Sequence, residues 1–273
     1  MLSKKIAGMI VTGLLVFGLV GGVYAAPPSN FSVQADELDY DMKTGEAIAK
    51  GNVVIMQDGS KATGEVANYN SKTKSGSLKG NVVADRGADH ITCNEFQIKN
   101  DDNYSAIGNA VVIREGKKIE APQIDYYKSR EFAETIGDWA RLTDVDGSTL
   151  NATKVTYNSK SGVAVATGGV RIHSDARKLT ASADKAIYDT KKEGYVELIG
   201  NATATQDGNT IKGAKLRLTN ANNVAIADGD VQVVYIPEQQ PANGQAPKSK
   251  NSDVKKTVDA QPAILEKKNQ AKA

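Results

Sequence analysis

Apolar and polar residues alternate along most of this chain, and turn residues interrupt the alternation at regular intervals. The clearest case is "VAVATGGVRI" (Val163–Ile172). Ala164, Ala166, Gly168, Val170 and Ile172 fall on one side, and Val165, Thr167, Gly169 and Arg171 on the other. A period of two is the mark of a β-strand with distinct faces. The segment before it, "LNATKVTYNSKSG" (Leu150–Gly162), ends on an aromatic and runs into Asn, Ser, Lys and Gly. Asn and Ser turn a chain by bonding their own backbone, and Gly accepts positive φ. The strand pair then closes on a polar turn, seen also at Asp58-Gly59, Glu115-Gly116, Asp146-Gly147 and Asp207-Gly208. Almost no stretch carries a helical period.

The pair repeats. A mid-strand glycine recurs at Gly51, Gly80, Gly108, Gly137, Gly168, Gly200 and Gly229, at intervals of 29, 28, 29, 31, 32 and 29 residues. A second landmark precedes each by 11 or 12 residues: Tyr40, Tyr69, Phe96, Tyr126, Tyr157, Tyr188 and Leu218. Periods of about 20–50 residues signal a repeat architecture. Seven two-strand units joined by local turns predict an all-β chain of about fourteen short strands. Glycine inside a strand weakens it and marks a bulge, a bend or a close backbone approach, so each glycine is expected to bend its strand at a corner. In the first strand of each unit a small residue (Ala35, Ala121, Ala152, Ala183) stands five before the aromatic. An odd spacing puts the two on opposite faces of a plain strand. Either both faces are partly buried, or a bulge resets the pleat at pairs such as Asp36-Glu37 or Thr153-Lys154.

Composition narrows the chemistry. The chain has 273 residues with 5% aromatics, 25 glycines and a formal charge of +2. Lys4, Lys5 and a tail with seven Lys against four acids carry the positive charge, which leaves the body at −3. A mildly acidic body gives no basic face for nucleic acid. A single cysteine, Cys93, excludes an internal disulfide and a cysteine-based metal site. His90 and His173 lie in different units without a phased Ser or Asp partner, and the acids mark turns, so no catalytic, metal or cofactor site is expected.

At the N-terminus Lys4-Lys5 precedes an apolar run, Ile6–Val23, followed by "VYAAPPSN". Small residues at the positions a signal peptidase reads predict cleavage after Ala25 and export. Retention as a membrane anchor is the competing reading, since about 20 apolar residues span a bilayer. The expected organisation is an export signal at 1–25, a repeat body at 26–236 and a tail at 237–273. That tail is rich in Pro, Gln, Asn, Lys and Ala and cannot bury enough apolar surface to order itself.

The unit "QADELDYDMKTGEAIAKGNVVI" (Gln34–Ile55) resembles the repeat of the OstA/LptA-like family of lipopolysaccharide-transport proteins. "NATKVTYNSKSGVAVATGGVRI" (Asn151–Ile172) and "SADKAIYDTKKEGYVELIGNATATQDG" (Ser182–Gly208) carry the same pattern. The resemblance covers about residues 31–236. Unit four departs from it at Gly137-Asp138-Trp139, and the last unit has Leu218 in place of the aromatic. The resemblance implies an open, twisted antiparallel β-sandwich, a β-jellyroll or V-shaped sheet, that carries lipopolysaccharide through the periplasm in an apolar groove and bridges inner- and outer-membrane components. LptC and the periplasmic part of LptD share that fold. A cleaved signal favours the LptA-like role and a retained anchor the LptC-like one. A structural or adhesive envelope protein is the remaining alternative.

On this reading Val53, Ile55, Leu78, Val82, Val112, Val170 and Ile172 line the groove from second strands. Tyr40, Phe96, Ile98, Tyr126, Tyr157 and Tyr188 line it from first strands. Trp139 is either a packing anchor or the groove lip. The terminal strands, with Phe31 and Val33 at one end and Val231, Val233 and Tyr235 at the other, are expected to be open edges. Such edges recruit other chains, here in head-to-tail homo-oligomers or in docking onto membrane partners.

Overall fold

In the computed structural model the described residues are 31–57, 59–189, 195–219 and 225–235. The expected export signal and tail lie outside them. The strands are β1 (Phe31–Gln34), β2 (Glu37–Asp41), β3 (Glu46–Gln57), β4 (Ser60–Asn70), β5 (Ser75–Arg86), β6 (Asp89–Ile98), β7 (Asn103–Arg114), β8 (Lys117–Tyr127) and β9 (Phe132–Ile136). They continue as β10 (Ala140–Thr143), β11 (Thr149–Ala152), β12 (Lys154–Asn158), β13 (Val163–Ser174), β14 (Leu179–Asp189), β15 (Tyr195–Gln206), β16 (Asn209–Thr219), β17 (Ala225–Asp228) and β18 (Gln232–Val234). Every registered pair is antiparallel, and successive strands are neighbours. The excess over fourteen has a local cause. In four of the fourteen, one to three residues at the corner leave the ladder, so each counts twice: β1/β2, β9/β10, β11/β12 and β17/β18.

The corner explains the recurrent Gly-Asn. On β3 the register shifts between Lys50 and Val53, and Gly51 and Asn52 both take left-handed φ, +75° and +48°. Asn tolerates that region and Gly is at home in it. A Cβ on Gly51 would collide with the Asp36 carboxylate, which is held there by its own contacts. The Asp36 N–H donates to the Gly51 carbonyl at 2.9 Å, and the Asn52 amide donates to Asp36 Oδ2 at 2.9 Å. The same side-chain bond joins Asn81 to Glu65 at 3.1 Å and Asn201 to Asp184 at 3.0 Å. The first strands reset their pleat at the same level. In β6 the inward residues Ile91 and Cys93 are followed by Phe96, three further on, and in β14 Ala183 is followed by Ala186. Of the two explanations for the odd spacing, the pleat reset is the one observed.

Each long strand therefore contributes to two walls joined at a corner. The residues facing inward on both walls form one apolar cluster, from Ala49 and Val53 to Leu198 and Leu216. There are no helices among the described residues, so the sheet buries one face by folding over on itself. Electrostatics show the fold-back. Burial pushes the Tyr188 hydroxyl up, the Asp144 carboxylate adds to this and the Arg177 guanidinium opposes it. Along a straight strand Arg177 and Tyr188 would be roughly 36 Å apart at about 3.3 Å per residue, far beyond the reach of a screened charge.

Candidate functional site: the interior of the wedge

Cross-strand registers sort the inward residues into rows. Nearest the corner are Val53, Gly64, Val82, Cys93, Ala110, Ala121, Ala140, Ala152, Val170, Ala183, Ala202 and Gly213, none larger than Val or Cys. Side chains lengthen with distance from it. The first wall ends in a row that alternates bulky and small, as in Tyr40-Ala47-Tyr69-Gly76 and Tyr126-Ala133-Tyr157-Ala164-Tyr188. We call it the tyrosine wall. On the other, the aliphatic wall, an unbroken row runs from Val33 and Ile55 through Ile91, Val112, Ile119, Leu142, Leu150 and Ile172 to Ile211 and Val233. Small residues where the walls meet and long ones at the mouth give a wedge-shaped interior, apolar from one end strand to the other.

The residues expected to line a groove divide by depth. Val53, Leu78, Val82, Phe96, Val112, Tyr126, Tyr157 and Val170 are buried and fill the interior. Ile55, Ile98 and Ile172 are half-buried and pack against that cluster nearer the mouth, and Tyr188 is half-buried in the outer row of the tyrosine wall. Tyr40 shares the inward row but is 57% exposed at the end of the sheet, beside Leu38 at 60%. Trp139 is 43% exposed at the irregular corner between β9 and β10 and stands apart from the cluster. There Pro122 packs against Gly137, where an acid meets the glycine in three other units, at Asp36, Glu65 and Asp184. Phe96 lies one row nearer the corner than the tyrosines, and Ile98 and Tyr104 occupy their row instead. Tyr104 is buried, donates its hydroxyl to the Asp101 carbonyl at 2.9 Å and stacks at a tilt on Tyr126. It coincides with no repeat landmark, because it stands on the second strand of its unit, at the position where other units carry Ala47, Gly76, Ala133 and Ala164.

The rims differ. Turns along the tyrosine wall are joined largely through backbone groups: the Lys72 ammonium donates to the Lys43 carbonyl, Lys128 N–H to that of Asp102 and Asn158 to that of Arg130. Turns along the aliphatic wall are laced by ion pairs: Arg114–Asp89 at 3.5 Å, Lys117–Asp144 at 3.5 Å, Arg177–Asp146 at 3.6 Å and Lys178–Asp207 at 3.3 Å. Burial is the first cause pushing the hydroxyls of Tyr69, Tyr104 and Tyr126 up, as at Tyr188.

At the ends, β1 and β2 pair with β3, and β17 and β18 with β16. No partner strand registers on their other side among the described residues. Val33 is half-buried, whereas Val231, Val233 and Tyr235 are exposed, Val233 at 63%. The side chain of Phe31 lies outside the described part of the chain. His90 and His173 sit apart on the outer surface, each beside an aspartate, Asp85 and Asp175. No group of three or more metal-binding side chains gathers among the described residues.

No curated protein matches the chain. A solved structure of LptH, the LptA-homologous periplasmic component of the lipopolysaccharide transport device of Pseudomonas aeruginosa, aligns over 77% of this chain and 96% of its own. Its identity is 16% and its TM-score 0.21, too low to carry a conclusion. The family described as LptA/(LptD N-terminal domain) LPS transport protein matches residues 61–224, more than half of the chain. This chain belongs to that family of lipopolysaccharide-transport proteins.

Proposed function

We propose that the protein carries lipopolysaccharide through the periplasm with its acyl chains held between the two walls, as a bridge between inner- and outer-membrane components. The observation that carries this reading is the wedge itself. Its apolar rows run the whole length of the body and come to the surface at both ends, at Leu38 and Tyr40 and at Val233. Apolar surface left open at the ends of a filled interior is a place for another molecule to continue the row. Each methylene buried contributes about 0.8 kcal/mol, so a few acyl chains inserted at the mouth would repay a modest parting of the walls. The open backbone edges of β1/β2 and β18 suit strand addition. Two different edges meeting head to tail build a filament that does not close, and a similar domain of a membrane partner can use the same edge. Export and release after Ala25 would place the body in the compartment where such a bridge works.

A photo-crosslinking side chain at Ile55 or Ile172, near the mouth, should capture lipopolysaccharide in the cell envelope. The same group at Lys72, in an outer turn, or at Lys61, on the outer face, should not. Equal capture at all four sites would refute a lipid path between the walls.

A further inference from the structure

We propose that the inner rim of the aliphatic wall between β5 and β8 binds phosphate groups of the lipid, with Arg114 as the anchor. The inference rests on the carrier reading above. Tyr104, Ala106, Ala110 and Val112 of β7 point inward, and Arg114 is the next member of that column. Its side chain is only 15% exposed. Its Nη1 has no exposed surface and no hydrogen-bond partner. Its ion pair runs from Nε to Asp89 Oδ1 at 3.5 Å, longer than a good hydrogen bond. Burial, the larger influence, pushes the Asp89 carboxyl up against the pull of Arg114 and Arg86. A buried donor without an acceptor is destabilising, and the structure keeps one at the mouth of an apolar channel.

The surroundings identify the missing acceptor as an oxyanion. Arg86 continues the inward column of Val82 and Ala84, and Lys117 that of Ala121 and Ile119. With Arg114 they bring three cations to one stretch of rim, where the acids are Asp89, Asp144 and, in the exposed turn beside Arg114, Glu115. Across the wedge, the Tyr126 hydroxyl feels the Arg114 charge and can donate to a bound anion. A guanidinium fork fits phosphate oxygens two at a time, more closely than an ammonium does. Acyl chains would lie among Val112, Ile119 and Ile91 immediately below, so charge and chains of one amphiphile would be read by adjacent rows. Because Nη1 is enclosed while the wedge is filled, a phosphate reaches it only when the mouth parts, which is the movement the chains require.

The test compares binding of lipopolysaccharide and of its dephosphorylated form to the purified full chain. The wild type should prefer the phosphorylated lipid about tenfold or more. Arg114→Met should lose the preference while keeping its affinity for the dephosphorylated form, Arg114→Lys should retain part of it, and Lys61→Met, on the outer face at the same height, should change nothing. Asp89→Asn leaves the guanidinium without its carboxylate and should strengthen the preference, whereas a merely structural ion pair predicts no gain. Equal loss of both lipids in Arg114→Met, with no gain in Asp89→Asn, would overturn the proposal. So would saturable binding of inorganic phosphate alone at the same rim, which would assign the site to a free ion. If the wild type binds both lipids alike, only the anchor fails; if it binds neither, the carrier reading fails first.

Discussion

Gly168 and Gly169 are adjacent, and both hold left-handed φ, at +84° and +65°. Any L-residue other than Asn, Asp or Gly is disfavoured there by about 1–2 kcal/mol. Their surroundings differ. A Cβ on Gly169 meets nothing within 4 Å, whereas a Cβ on Gly168 would lie 2.5 Å from both Cβ and Oγ1 of Thr153. Thr153 cannot easily give way. Its N–H and its hydroxyl both donate to the Gly168 carbonyl, each at 3.0 Å, and a β-branched side chain has few rotamers. Gly169→Ala should therefore cost about 1–2 kcal/mol. Gly168→Ala should cost that plus the weakening of two hydrogen bonds at about 1 kcal/mol each, or about 3–4 kcal/mol in all. Urea unfolding reads the difference as a shift in midpoint at constant m. Thr153→Gly in the Gly168→Ala background should recover part of it. If the two alanine variants unfold together, the close approach does not hold the corner, and the explanation of the repeated glycine is wrong.

Two further outcomes are expected. Cys93 is buried in the corner row and burial pushes its thiol up to about 11, so at pH 8 only about one molecule in a thousand carries the reactive thiolate; alkylation should be negligible in the folded chain and rapid in urea, and fast labelling of the native protein would show that the corner row is open. Val233→Pro removes a backbone donor from β18 at an exposed end, so concentration-dependent end-to-end association measured by light scattering should fall; unchanged association would move the contact elsewhere.

Much of this architecture is legible in the sequence because a strand has a period of two and a turn has its own residue types. Of the column expected from spacing, Ala164, Ala166, Val170 and Ile172 stay inward across the corner, whereas Gly168 is exposed in the bulge between Thr167 and Val170. The five-residue gap from Ala183 to Tyr188 admits only a pleat reset or two half-buried faces, and the register shift between Ser182 and Lys185 selects the reset. What periodicity cannot show is depth. Ile55 and Val53 share a face, yet one lies in the row nearer the mouth and the other where the walls converge. Nor does alignment of aromatics locate the tyrosine row. Tyr69 and its partner Gly76 are seven residues apart, but Ile98 and Tyr104 only six, so a turn shortened by one residue leaves Phe96 a row too deep. The ion pairs along the rim join turns that meet only after the units stack, and no local signal announces Arg114.

The division of the wedge into a corner and a mouth has a mechanical consequence. At the corner, side chains up to the size of Val fill the space, and asparagine–acid pairs at Asn52, Asn81 and Asn201 and the carbonyls of Gly51, Gly168 and Gly229 tie strands to their neighbours. Opening it would expose a continuous apolar row and break these bonds together. At the mouth, half-buried Ile55, Ile98, Ile172 and Tyr188 lose less by moving. Of the ion pairs that lace the aliphatic rim there, Lys178–Asp207 is largely exposed, and an exposed pair contributes about 0–1 kcal/mol. Any parting of the walls should therefore begin at the mouth and pivot on the corner. On the proposed reading, this asymmetry would let one filled interior serve both needs of a carrier: a frame stable enough to fold without cargo, and a side that yields when acyl chains supply the apolar contacts its own residues give up.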